Sequence, residues 1–170
     1  MTYTKSWWFH SNHSRSEGEV DELKAKARRI WEDIFPAGDV DALGEILAAD
    51  GIDHQARPGE PQGLEGAIQT MRWLRRVFSD QRWEIHRVIG EGDTVVVQAT
   101  HHARHTGELM GIPPTGRQVA YDYVHIVRFR DGKVAEHWGL RDDLTLMRQL
   151  GVLPEPGARP IAEIATPSAG

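Results

Sequence analysis

Two tyrosines and a histidine lie at alternating positions in one strand-like run, Val119 to Phe129. Side chains alternate along a strand, so Tyr121, Tyr123 and His125 share one otherwise apolar face. A lone histidine on such a face is more often a core residue, but two neighbouring tyrosines favour a pocket with convergent hydrogen-bonding groups. We therefore predict that His125 and Tyr123 are catalytic, with His125 as general acid or base, and that Tyr121 binds substrate.

Three further histidines raise the question of a metal site. On a strand, His101 and His105 point one way and His102 points the other, so one strand offers two ligands that are too far apart to share an ion easily. No metal is predicted. The turn from Arg104 to Gln118 is instead expected to rim the pocket through His105 and Met110.

Asp142 and Asp53 are considered as carboxylate partners for His125. Asp142 and Asp143 precede a helical pattern, Leu144 to Leu150, and at least one of them is expected to cap that helix. Asp53 ends the helical half of the chain, where it could reach the sheet. Asp142 and Asp53 are therefore assigned as candidate catalytic partners of His125.

Several function classes are disfavoured by composition and by missing motifs. The chain has no cysteine, which removes disulfides, thiolate zinc sites and cysteine nucleophiles. A net charge of -5 without a Lys/Arg block argues against nucleic-acid binding. No phosphate loop, nucleophile elbow or dinucleotide fingerprint is present, so no cofactor is predicted. Neither a membrane span nor a signal peptide is recognisable, and we predict a cytoplasmic protein.

The elements that must position these residues begin with helices. Ser16 has capping-box spacing to Glu19, and apolar residues then recur at three- and four-residue steps until Pro36. A second, shorter helix follows Asp39, and a third runs from about Leu64 to Phe78. We interpret the opposite face of the third helix as a solvated face carrying three arginines: Arg72, Arg75 and Arg76.

Strands follow the helices, with one short extended piece, Asp50 to His54, between them. From Trp83 the period changes to two, and strands are predicted after Trp83, from Thr94 to His105, from Val119 to Phe129 and from Lys133 to Leu140. Helices followed by strands indicate an α+β fold. We expect a cone-shaped α+β barrel in which the N-terminal helices pack on a strongly curved antiparallel sheet and enclose a pocket.

The predicted domain spans residues 16–153. Residues 1–15, with Trp7-Trp8-Phe9, form a flexible or docking arm, and residues 154–170, rich in Pro, Ala and Gly, form a disordered tail. Large apolar side chains are expected to supply the walls of the pocket and to contact substrate: Trp31, Trp73, Phe78, Trp138 and Met147.

From about Ala27 to Leu153 the chain resembles the SnoaL-like polyketide cyclases. These belong to the superfamily with the nuclear-transport-factor-2-like, or ketosteroid-isomerase-like, cone fold. Five segments carry the resemblance: Asp50-Gly-Ile-Asp-His54, His105-Thr-Gly-Glu-Leu-Met-Gly-Ile-Pro-Pro-Thr-Gly-Arg117, His125-Ile-Val-Arg-Phe-Arg-Asp-Gly-Lys133, Glu136-His-Trp138 and Leu146-Met-Arg-Gln-Leu-Gly151.

The resemblance implies a small enzyme of secondary metabolism. Such a cyclase closes a ring of an aromatic polyketide ester by intramolecular aldol addition, without metal or cofactor. Its partner would be a small apolar or aromatic polyketide-like substrate. By the same analogy the protein would form a homodimer through the outer face of its sheet.

One position departs from the family pattern. The family's pocket histidine matches His125, its pocket asparagine falls at Asp53, and its catalytic aspartate falls at Gly139, which cannot exchange a proton. Another acid could serve, either Asp142 or Asp53 with His125. Alternatively, the reaction could depend on shaping and desolvation, as in a pericyclic closure or a cofactor-independent oxidation. An epoxide hydrolase, a dehydratase and a non-catalytic binding module on the same fold also stay open.

Overall fold

Helices cover one face of a five-stranded sheet in the computed structural model, which describes residues 15–154. The elements are α1 Glu17–Arg29, a π-helical turn Ile30–Ile34, α2 Phe35–Ala37, α3 Val40–Ile46, β1 Leu47–Asp53, α4 Gly63–Val77, β2 Phe78–Glu91, β3 Thr94–His105, β4 Gln118–Arg130, β5 Lys133–Arg141 and α5 Asp143–Gln149. The predicted α+β class is confirmed. The expectations for the Trp-rich arm and the C-terminal tail lie outside the described residues. No helix between residues 15 and 154 has the length and apolarity to cross a membrane.

The sheet is mixed, not purely antiparallel. Its strand order is β1-β5-β4-β3-β2, and β2 to β5 form the expected antiparallel meander. The piece predicted as Asp50 to His54 begins earlier, at Leu47, and pairs with β5 in parallel. In this parallel pairing Asp53 lies directly opposite His137, which places both residues at the site described below.

The first predicted helix changes geometry before it ends. The capping box at Ser16 is present, and α1 passes into the π-helical turn at Ile30. Three residues of this turn are buried, Ile30, Trp31 and Ile34. Steps of three and four residues are compatible with both helix types, so periodicity alone did not reveal the wider turn.

The junction between α4 and β2 also differs from the prediction. The third helix ends at Val77, and β2 starts at Phe78 instead of near Trp83. The register shifts between Ser79 and Arg82, and Asp80 has φ +53°. This bulge hides the strand's beginning because it interrupts the alternation of the side chains.

Two apolar clusters hold the layers together. The larger joins α1, the π-helical turn and α3 to the sheet and includes Leu23, Leu43 and Phe129. The smaller packs α5 against β4 and includes Leu146, Leu150, Tyr121 and Phe78. On α4, the three arginines of the predicted solvated face are exposed, and Arg75 also donates a 2.5 Å hydrogen bond to the carbonyl of Pro36.

Candidate active site

An apolar cavity of about 120 Å³ lies between the helices and the inner face of the sheet. Its walls come from the π-helical turn, α4, β1 and the inward side chains of β3, β4 and β5. An open cleft of about 1160 Å³ adjoins it. Six residues line both spaces and therefore mark the passage between them: Asp53, Gln55, Thr70, Trp73, Tyr123 and Arg141.

A chain of three polar side chains runs along the edge of this cavity. His137 Nδ1 lies 3.2 Å from Asp53 Oδ1, and His137 Nε2 lies 3.2 Å from His125 Nδ1. Asp53 is opposite His137 in the parallel register, whereas His125 is opposite Gly139, one diagonal step from His137. The sheet itself therefore assembles the triad Asp53–His137–His125.

The carboxylate fixes the direction of this chain. A carboxylate only accepts, so His137 Nδ1 carries a hydrogen and donates it to Asp53. With the hydrogen of His137 on Nδ1, its Nε2 lone pair is the acceptor, and His125 Nδ1 donates to it. The remaining nitrogen of His125, Nε2, is left with a free lone pair. The basic atom at the end of the triad is thus His125 Nε2, on a side chain that lines the cavity.

Burial and charge set the ionisation of the triad. Burial lowers the pKa of His125 well below its usual value, and the neighbouring His137 and His101 lower it further. Burial works to raise the pKa of Asp53, but hydrogen bonding and charge from His137, with the Gln55 amide and His54, outweigh it and the pKa is lowered. At neutral pH His125 is therefore uncharged and Asp53 is ionised.

Aromatic rings hold the His125 imidazole in place. Trp31 stacks on it with ring centroids 3.4 Å apart and planes 12° apart, and Tyr123 stacks with a centroid distance of 4.0 Å and an angle of 8°. His125 is only 2% exposed. An imidazole fixed between two rings loses little further freedom when a substrate binds, so its free nitrogen is preorganised.

A second histidine lines the same cavity. His101 is 1% exposed, its Nδ1 lies 2.7 Å from the Tyr121 hydroxyl, and its ring stacks on Trp83 at 3.9 Å. Burial lowers the pKa of His101 to about 3, assisted by the charges of His102 and Arg141. Burial likewise raises the pKa of Tyr121. Both side chains are neutral around pH 7.

Four polar atoms on the cavity-lining side chains are buried without a hydrogen-bond partner. They are the ring nitrogens Trp31 Nε1, Trp83 Nε1, His101 Nε2 and His125 Nε2. Buried polar groups are nearly always paired in folded proteins, and each unpaired one costs about 1–3 kcal/mol. These four nitrogens are the cavity-lining polar atoms whose hydrogen-bonding capacity the described residues leave unused.

Gln55 occupies the space beside Gly139. It accepts a 2.9 Å hydrogen bond from the Tyr123 hydroxyl and donates one of 2.7 Å to the Gly139 carbonyl. A Cβ atom at position 139 would lie 2.2 Å from Gln55 Oε1 and 2.9 Å from Tyr123 Cε1. Because Gly139 has no side chain, the Gln55 side-chain amide fits beside it, at the boundary between the inner cavity and the outer cleft.

The structure brings several of the predicted residues together. Met110 lines the outer cleft alone, and six of the predicted residues line the inner cavity: Trp31, Asp53, Trp73, Tyr121, Tyr123 and His125. Three of these six, Asp53, Trp73 and Tyr123, also line the cleft. The predicted residues of β4 and the end of β1 therefore meet at one cavity.

Other predicted site residues lie elsewhere. Asp142 caps α5 by accepting from the Thr145 backbone at 2.9 Å and from its hydroxyl at 2.6 Å, and these bonds lower its pKa. Trp138 points to the other face of the sheet and stacks on His54. Three more pack in or against the smaller apolar cluster, outside both spaces: Phe78, His105 and Met147.

Three residues of the site were missed as candidates. His137 lies in a segment that carries the family resemblance, His101 is weighed only as a metal ligand, and Gln55 belongs to no predicted motif. Alternation placed His101 on one face of β3, and its cross-strand pairing with Tyr121 was the signal that could have revealed it. Among residues 15–154, no three His, Cys, Asp or Glu side chains cluster as metal ligands would.

The fold and its pocket define a class of protein, the α+β cones of the nuclear-transport-factor-2-like type. The sequence pattern of the SnoaL-like polyketide cyclases matches residues 25–150. The chain belongs to the SnoaL-like polyketide cyclase family.

Two relatives are each about one-third identical to this chain. The chain is 32% identical over 119 residues to the nogalonic acid methyl ester cyclase of Streptomyces nogalater, covering 69% of this chain and 89% of that protein. It is 34% identical over 138 residues to the aklanonic acid methyl ester cyclase AcmA of Streptomyces galilaeus, covering 78% and 92%.

Solved structures agree with the fold. TsrD from Streptomyces laurentii matches with a TM-score of 0.71 and 27% identity, covering 82% of this chain and 99% of that one. IdmH from Streptomyces antibioticus matches with a TM-score of 0.67 and 29% identity, covering 76% and 99%.

Proposed function

We propose that the protein is a cofactor-independent cyclase that closes a ring in a polyketide methyl ester by intramolecular aldol addition. The observation that carries this proposal is the triad Asp53–His137–His125, which ends in an unpaired nitrogen on a side chain that lines an apolar cavity. Support also comes from the two relatives, which are named as cyclases of such esters.

In this mechanism His125 Nε2 removes a proton from the carbon alpha to a carbonyl. The electron pair of that C–H bond forms the enolate, which attacks a ketone in the same molecule and forms the new C–C bond. As His125 gains a proton at Nε2, its Nδ1 hydrogen can pass to His137, where ionised Asp53 stabilises the imidazolium. Asp53 of the triad thus supplies a carboxylate, whereas the family's catalytic aspartate is replaced by Gly139 in this chain.

The sizes of the two spaces support a partly inserted substrate. Small-molecule pockets generally measure about 300–1,000 Å³, whereas the inner cavity measures about 120 Å³. The reacting end would enter this cavity, and the remaining rings would lie in the cleft beyond Tyr123 and Gln55. A polyketide-like substrate is therefore proposed as the ligand. We also propose that the protein forms a homodimer through the outer face of its sheet and that it is located in the cytoplasm.

The test uses aklanonic acid methyl ester and nogalonic acid methyl ester, with the ring-closed isomer followed by chromatography and NMR. His125→Ala should lower kcat roughly 10²-fold or more. His86→Ala is the matched control, because His86 is exposed on β2 and bonds Thr100 at 2.8 Å. Unchanged turnover in a folded His125→Ala protein, or no closure of either ester by the unaltered protein, would contradict the proposal.

A further inference from the structure

The cavity contains a second imidazole whose role the triad does not explain. His101 lies on β3, opposite Tyr121 on β4 and opposite Trp83 on β2. Its Nδ1 is paired with the Tyr121 hydroxyl, while its Nε2 is buried and unpaired. An unpaired polar atom on a side chain that is 1% exposed and lines the substrate cavity needs a partner, which a substrate could provide.

The two tautomers of His101 differ in how many hydrogen-bonding groups of His101 and Tyr121 they leave unpaired. Within residues 15–154 the Tyr121 hydroxyl makes a hydrogen bond only with His101. If Tyr121 donates to Nδ1, only the Nε2–H group is left unpaired. If Nδ1–H donates instead, both the Tyr121 hydrogen and the Nε2 lone pair are left unpaired. Since each such group costs about 1–3 kcal/mol, the tautomer with hydrogen on Nε2 is favoured.

The two histidines of the cavity are therefore in opposite states. His125 is held by the triad with its hydrogen on Nδ1 and a lone pair on Nε2. His101 is held by Tyr121 with a hydrogen on Nε2. One offers an acceptor and the other a donor, and neither titrates near pH 7, because burial lowers both pKa values.

We propose that His101 is a second catalytic residue, which donates its Nε2 hydrogen to the ketone oxygen that becomes the alkoxide during ring closure. This inference rests on the proposed aldol function. His125 takes the proton from carbon, the enolate carbon bonds to the ketone carbon, and the π electrons of the ketone move to its oxygen. The Nε2–H group of His101 stabilises that oxygen by a hydrogen bond. The proton taken by His125 finally reaches the alkoxide, directly or by exchange with water, so the reaction is a net isomerisation.

Tyr121 acts as a positioning residue in this scheme. Its hydroxyl keeps the His101 hydrogen on Nε2, and the stacked ring of Trp83 fixes the plane of the imidazole, at an interplanar angle of 11°. A donor fixed before the reaction needs no reorganisation as charge develops, and one such donor contributes roughly 10²- to 10³-fold to kcat.

The first experiment needs no substrate. Proton–nitrogen NMR correlation of the histidine side chains in the unaltered protein should show His101 protonated at Nε2 and His125 at Nδ1. Tyr121→Phe should convert His101 to a mixture of tautomers and leave His125 unchanged. A hydrogen on Nδ1 of His101 in the unaltered protein would overturn the proposal, because Nε2 could not then donate.

The second experiment separates the two steps with aklanonic acid methyl ester in deuterated buffer. His101→Phe should lower ring closure roughly 10²-fold while deuterium exchange at the alpha carbon stays within several-fold of the unaltered rate. His101→Phe combined with Tyr121→Phe should behave in the same way and avoids an orphaned hydroxyl if the single variant folds poorly. His102→Phe is the control, since His102 lies next in the strand and bonds Glu84 on the other face.

The outcomes are distinguishable. Unchanged closure in folded His101→Phe, or loss of exchange together with closure, contradicts the assigned role of His101. If the unaltered protein neither exchanges nor cyclises the ester, the proposed function fails, and the role of His101 in ring closure fails with it. The NMR result would still decide whether His101 is a fixed donor.

Discussion

Replacing Gly139 by alanine tests whether Gln55 fills the space that the missing side chain leaves. The new Cβ would lie 2.2 Å from Gln55 Oε1, so the amide must move and lose its bonds to Tyr123 and to the Gly139 carbonyl. Two hydrogen bonds contribute roughly 1–3 kcal/mol, and water replaces part of this because Gln55 is exposed. We expect Gly139→Ala to lower the free energy of unfolding by about 1–2 kcal/mol.

The same substitution should be nearly neutral once Gln55 is alanine. The chief obstacle is then gone, and the gain of about 0.4–1 kcal/mol from restricting the unfolded chain offsets the remaining 2.9 Å contact with the Tyr123 ring. The double-mutant cycle should therefore give a coupling of at least about 1 kcal/mol.

Urea unfolding followed by tryptophan fluorescence measures all four proteins of the cycle. Gly18→Ala is the control, because nothing lies within 4 Å of a Cβ at that position in α1, and it should stabilise both backgrounds equally. If the effects of Gly139→Ala and Gln55→Ala add within about 0.5 kcal/mol, Gln55 does not occupy that space as described.

Two further predictions concern pH. The pKa of His101 is about 3 in the folded protein against about 6.5 unfolded, so the unfolded state binds more protons between these values and urea midpoints should fall as pH drops below 6.5. Combining His101→Phe with Tyr121→Phe should reduce this slope, and an unaltered slope would contradict it. The lowered pKa of Asp53 contributes stability above about pH 3.9 that is lost as pH falls through the folded pKa. Asp53→Asn should remove that acid-dependent part and also reduce ring closure, whereas Asp50→Asn, at an exposed residue paired with Arg130, should leave closure unchanged.

The main elements and one face of the site were predictable because strand alternation is a local signal. Tyr121, Tyr123 and His125 were placed together by counting along β4. The triad was not, because it depends on β1 joining β5 in parallel, and nothing in the pattern around Asp53 specifies a neighbour more than 80 residues away. His137 could be found only through that register.

Gln55 illustrates a different limit. It sits in the turn after β1, where neither periodicity nor residue type indicates that its amide bonds to Tyr123 and to the Gly139 carbonyl. Its position follows from the space beside Gly139, and an empty volume leaves no trace in a single sequence. The capping role of Asp142, in contrast, was predictable from the sequence. An aspartate just before a helical pattern can accept a hydrogen bond from the first turn of that helix, which is a local interaction.

The division of the site into a small inner cavity and a broad open cleft has a consequence for the range of molecules that it could accept. In the proposed reaction, only the end of a molecule that fits within about 120 Å³ meets the two histidines, so discrimination is concentrated on the few atoms that react. Groups attached further away lie in a wide, solvent-facing space, where an added hydroxyl or methyl displaces water and little else. The same inner cavity could therefore process a series of differently decorated precursors, and new tolerance could arise by changes in the cleft alone.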